Sequence, residues 1–174
     1  AAELTRLVNP YDEAADLTAR ARSYLHANCS HCHVSDGGGN AKMELEFTSD
    51  DEKTDIFDVT PHHGNFNLDD GKLIAKGAPN RSVILYRLSK LGHGRMPILG
   101  SGVVDEAAIK MFRKWIDSLP TDGNLATPTY ASLLENVQSE VPTERAAAIG
   151  GLLDSVSGAM AAIGLVDELP PDAT

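Results

Sequence analysis

Apolar residues recur at helical spacing in several stretches of the chain, separated by clusters of glycine, proline and charge. Residues 1–12 read as an irregular arm that ends in a turn at Asn9-Pro10-Tyr11. From about Asp12 to Asn28, Leu17, Ala21, Tyr24 and Leu25 share one face, which predicts a helix over about 12–28. Asp36-Gly37-Gly38-Gly39-Asn40 breaks that pattern. Met43, Leu45 and Phe47 then alternate over a short strand-like run, and residues 49–53 form a charged loop. Pro61-His62-His63-Gly64 follows, with a further turn at Asp69-Asp70-Gly71.

Ala78-Pro79-Asn80-Arg81-Ser82 opens the next helix, where Val83, Ile84, Leu85, Leu88 and Leu91 fall at helical spacing before Gly92 ends it. Asp105 can cap a helix over 105–119, whose stripe is Ala108, Met111, Phe112, Trp115, Ile116 and Leu119; Pro120 stops it. Trp115, the single tryptophan, is expected to pack against the first helix. Residues 121–129 read as a linker, and two more helices are predicted over about 130–139 and 143–163. Together these elements predict an all-α fold with a body over 1–120 and a helical extension or linker over 121–174.

Composition adds a boundary on partners. The chain has 174 residues, 42% apolar and 23% charged, enough for a packed core. Its formal net charge of −10 argues against nucleic acid. No run is long enough for a membrane span. Ala1 opens an acidic, helix-like start without the charged n-region and apolar core of a signal peptide.

Chemistry concentrates at Cys29-Ser30-His31-Cys32-His33. These are the two cysteines of the chain, spaced C-x-x-C with a histidine directly after. Two thiols three residues apart at a helix end share a face and match the two vinyl groups of a haem; the run is the signature of c-type haem attachment. Cys29 and Cys32 are expected to form the thioethers of one covalent haem c, with His33 as the proximal iron ligand. A thioredoxin-like disulfide would need a βαβ context, and no strand precedes the motif. A closed zinc site would need four ligands, which His26, His31, His62, His63 or His93 would have to complete. Haem attachment is the reading that the motif favours. Because c-type haem is attached outside the bacterial cytoplasm, a periplasmic or otherwise exported location follows, for a processed or excised piece of such a protein.

A sixth ligand is expected downstream. Met96 sits in the glycine- and proline-bounded loop 94–103, followed by Pro97, which fixes its own backbone and biases Met96 to an extended conformation. A thioether presented from a loop suits a weak axial ligand, so Met96 is the expected partner of His33. Met43 and Met111 are expected in the core. His62 and His63 are either a loop pair near a haem propionate or a rival axial ligand.

The order Cys29, Cys32, His33, then Met96-Pro97, then a helix carrying Trp115-Ile116, resembles class I cytochrome c over about residues 12–120. That resemblance implies crossed N- and C-terminal helices around one haem, with a methionine loop covering it. More narrowly, Pro79 to Arg87 and Arg95 to Glu106 look like haem domains of large exported multidomain proteins of planctomycetes and related bacteria. Such domains are often joined to a dehydrogenase domain or a second cytochrome. Leu153 to Met160 is similar to the connector that follows them. Met96 lies 63 residues after His33, longer than in compact members, which implies an insertion around 41–78. No proline soon follows His33 to orient its ring, so another acceptor is required.

The function expected is one-electron transfer rather than catalysis, to or from a redox partner protein or a fused dehydrogenase or cytochrome domain. The alternative is a haem with a labile or non-methionine sixth ligand that binds small molecules or reduces peroxide, with His62, His63 or Arg95 on the distal side. No nucleophile-base pair or nucleotide-phosphate motif appears in a strand-turn-helix setting.

Overall fold

The computed structural model describes residues 6–121 and 130–168. Its regular elements are helices: α1 (Leu17–Cys29), α2 (Asp51–Thr54), a 3-10 turn (Pro79–Arg81), α3 (Val83–Leu88), α4 (Glu106–Ser118), α5 (Ala131–Asn136), α6 (Pro142–Leu153) and α7 (Val156–Glu168). Among the described residues there is no strand, only isolated bridges at Phe57–Ile74 and Lys72–Ser82. The all-α expectation holds.

The first helix begins later than its apolar spacing suggests, because aspartates capture the preceding backbone. Asp12 accepts the Ala14 N–H through its side chain and the Ala15 N–H through its carbonyl, both at 3.1 Å. Asp16 then caps α1, accepting the Ala19 N–H at 2.9 Å. At its far end α1 runs through Cys29, so the first thiol lies within the last helical turn.

α1 crosses α4, and aromatic rings join them. Tyr24 meets Phe112 edge-on with centroids 5.4 Å apart, and Phe112 meets Trp115 at 5.8 Å. Trp115 is fully buried and donates its indole N–H to the Thr18 hydroxyl at 3.2 Å. Asp105 caps α4 as expected, accepting from the Ala108 N–H at 3.0 Å, and also accepts the Tyr11 hydroxyl at 2.6 Å. Met111 is core.

Residues 43–47 alternate in burial without forming a ladder. Met43 and Leu45 are buried, but the Leu45 N–H goes to the His33 carbonyl at 2.9 Å and the Phe47 N–H to His26 Nδ1 at 3.2 Å. Burial therefore replaces strand pairing as the cause of the period. The charged run that follows makes the short helix α2, which the guanidinium of Arg22 on α1 ties down through Asp51 and three backbone carbonyls.

The helix predicted over 143–163 is two helices. The chain folds back at Asp154–Ser155, where the Ser155 hydroxyl accepts the Gly158 N–H at 2.9 Å. A Cβ at Gly158 would lie 2.2 Å from the Leu152 carbonyl oxygen, so only glycine permits this approach. The linker predicted over 121–129 lies, after Thr121, outside the described residues. α7 seats on the body: the buried Ser157 hydroxyl accepts the Asp69 N–H at 2.8 Å, and Arg113 of α4 donates to the Met160 carbonyl at 3.2 Å.

This packing predicts that Trp115→Ala lowers unfolding free energy by about 3–5 kcal/mol, as for other large buried aromatics. Asp105→Ala, which removes a helix cap, costs about 1 kcal/mol. Equilibrium denaturation of the two variants checks both the sizes and their order.

Candidate functional site

The C-x-x-C-H run turns off the end of α1. The N–H groups of Cys32 and His33 both donate to the Cys29 carbonyl, at 3.1 and 2.9 Å, which keeps the two thiols and the imidazole on one short turn. The glycine run closes behind it, with the Gly39 N–H on the Cys32 carbonyl at 2.8 Å. Residues far apart in sequence meet this turn around a cavity of about 520 Å³. That volume lies within the range of cofactor pockets, about 300–1,000 Å³.

All five residues singled out from the sequence line that cavity: Cys29, Cys32, His33, Met96 and Pro97. Leu25, Leu45, Leu73, Val83 and Leu88 supply much of its apolar wall, and Met43 contributes to the lining besides being core. His62 and His63 stand exposed at its edge, where His63 Nε2 lies 3.3 Å from the Asn40 carbonyl. His26 and His93 do not line it. Of residues 41–78, both the 43–45 segment and the histidine pair reach the cavity. Among the described residues, none of 130–168 does.

The two sulfurs form no disulfide with each other. Burial pushes the Cys29 thiol up to about 12, with the neighbouring Cys32 sulfur adding to the shift. A thiol that stays protonated at neutral pH is a poor attacking group for disulfide exchange. Among the described residues no three His, Cys, Asp or Glu side chains group to hold a metal ion, so a closed zinc set is not assembled.

His33 fits an iron ligand on two counts. Desolvation holds its pKa below the ordinary imidazole value, aided by Arg87 and His31, so the ring is the neutral form that donates a lone pair. Its Nδ1 is a buried polar atom with no hydrogen-bond partner, on a residue that lines the cavity. The Ala41 backbone favours the protonated ring and works against the desolvation, and no acceptor reaches Nδ1 in the place where the sequence offered no proline. Gly39 sets the ring's position by contact. A Cβ there would lie 2.6 Å from Nδ1 and 2.7 Å from the Cys32 carbonyl oxygen.

The loop that carries Met96 is held by two arginines. Arg95 donates Nε to the Ser101 hydroxyl at 2.8 Å and Nη1 to the Lys90 carbonyl at 2.6 Å, while Nη2 reaches the Val103 carbonyl. Ser101 in turn donates to the Pro97 carbonyl at 2.6 Å. Arg95 is thus committed to the loop, not free as a distal group. The Met96–Pro97 peptide is cis, and the Met96 N–H donates to the Arg87 carbonyl at 3.2 Å. Arg87 itself lines the cavity. The apolar spacing of Val83, Ile84, Leu85 and Leu88 gave no signal for it.

Gly39→Ala is expected to cost about 1–3 kcal/mol of stability, the range for overpacking a filled site. Gly38→Ala, where a Cβ meets nothing within 4 Å, is expected to leave stability unchanged. Denaturation midpoints of the two variants make the comparison. Comparison with protein families, with characterised proteins and with solved structures finds no match to this chain.

Proposed function

We propose that this chain is a monohaem c-type cytochrome domain of class I, which passes single electrons and does not itself catalyse a reaction. The observation that carries the reading is the convergence on one apolar cavity of Cys29, Cys32 and a neutral His33 from the end of α1 with Met96 from a braced loop. A bound haem would supply the one-electron couple, and methionine in place of a second imidazole raises its potential. The chain's own residues do the rest. Cys29 and Cys32 would hold the porphyrin covalently, and His33 and Met96 would ligate its iron, so that little would rearrange when the electron moves.

The exposed lip of the cavity supports electron exchange with a partner. Ile98 and Leu99 line the cavity yet remain 77% and 79% exposed. Apolar side chains at a cofactor's edge suit a transient protein contact. The partner is a redox protein or a fused dehydrogenase or cytochrome domain, in the periplasm or another exported setting. Among the described residues no helix is long and apolar enough to cross a membrane.

Two measurements test this. Protein produced with export and haem maturation is expected to gain the mass of one haem and to retain it after denaturation; Cys29→Ala with Cys32→Ala is expected to lose it. Ferrous wild type is expected to bind carbon monoxide poorly and Met96→Ala readily. Ready binding by wild type would favour the reading with a labile sixth ligand, with His62 and His63 at the cavity edge as the groups to change next.

A further inference from the structure

Among the described residues, Arg87 is the only Lys, Arg, Asp or Glu that lines the cavity. A guanidinium keeps its charge, and a charge beside apolar walls is costly without an opposite one. Among the described residues no carboxylate pairs with it. Its Nη1 donates to the Gly94 carbonyl at 3.2 Å, and the Phe66 ring lies beneath the guanidinium at 4.6 Å. These contacts orient the group and leave its anion unsupplied.

We propose that Arg87 is the counter-ion for a carboxylate of the prosthetic group, one haem propionate. The proposal rests on the haem reading above. Arginine suits the role because its planar fork can hold both carboxylate oxygens, which a lysine cannot. The pairing has a consequence for the axial methionine. Arg87 holds the methionine loop twice, by side chain at Gly94 and by its carbonyl at the Met96 N–H. A propionate on the same guanidinium therefore ties the porphyrin edge to the loop that presents Met96. Arg87 is a positioning residue, and its charge also offsets that of the propionate, which otherwise favours ferric iron.

The test compares haem-loaded wild type with Arg87→Gln and Arg87→Lys. Resonance Raman reads the propionate bending mode, redox titration reads the potential, and the near-infrared sulfur-to-iron band reads Met96 ligation. Arg87→Gln is expected to shift the propionate mode and lower the potential. Arg87→Lys is expected to shift the mode while keeping the potential nearer wild type, because charge is retained and the fork is lost. Should Arg87→Gln fail to accumulate, the propionate mode of Arg87→Lys decides alone. A propionate mode unmoved in the variants overturns the assignment, including the case where the sulfur band is lost, since Arg87 would then only brace the loop. Wild type that carries no haem would overturn the cofactor reading itself, a different result from any of these.

Discussion

The aromatic contact between α1 and α4 sets the position of what the cavity uses. Tyr24, Phe112 and Trp115 pack edge to face, and the indole N–H reaches back to Thr18. This fixes α1 along its length, and α1 ends in Cys29. The turn that follows has few ways to run, because Cys32 and His33 both donate to the Cys29 carbonyl and Gly39 closes on Cys32. A buried hydrophobic crossing thus becomes a placed pair of thiols and a placed imidazole.

The other half of the cavity is built from hydrogen bonds rather than apolar packing. Loop 94–103 is glycine-rich and leaves Ile98, Leu99 and Val103 largely exposed, so burial alone cannot hold it. Arg95 and Arg87 supply the missing order by donating to the carbonyls of Lys90, Gly94 and Val103. Desolvation then acts on the whole site in one direction: it keeps Cys29 protonated and His33 neutral. Both are the uncharged forms that an apolar pocket tolerates.

The parts legible in the sequence are those whose physics is local. The stripe of α4, its Asp105 cap and the spacing Cys29-x-x-Cys32-His33 each lie within a few residues of their own cause. The start of α1 was less legible, since the side chain of Asp12 competes with the helix for backbone donors. The period at Met43 and Leu45 misleads because a buried single segment and a strand alternate alike. The break between α6 and α7 falls inside a run whose apolar spacing, Ala148, Leu152, Val156 and Met160, continues across it and so conceals it. Apolar spacing says nothing of Arg87, which lines the cavity, or of Arg81, which is 1% exposed and donates to the carbonyls of Asp69 and Asp70. Only the fold assigns them an interior role.

The most direct measurement is the near-infrared absorption of the ferric, haem-loaded protein, wild type beside Met96→Ala. The account predicts a sulfur-to-iron charge-transfer band in wild type that is absent in the variant, with low-spin wild-type iron in both oxidation states. A low-spin spectrum without that band, unchanged by Met96→Ala, would contradict His33/Met96 ligation and move the sixth position to another group such as His62 or His63.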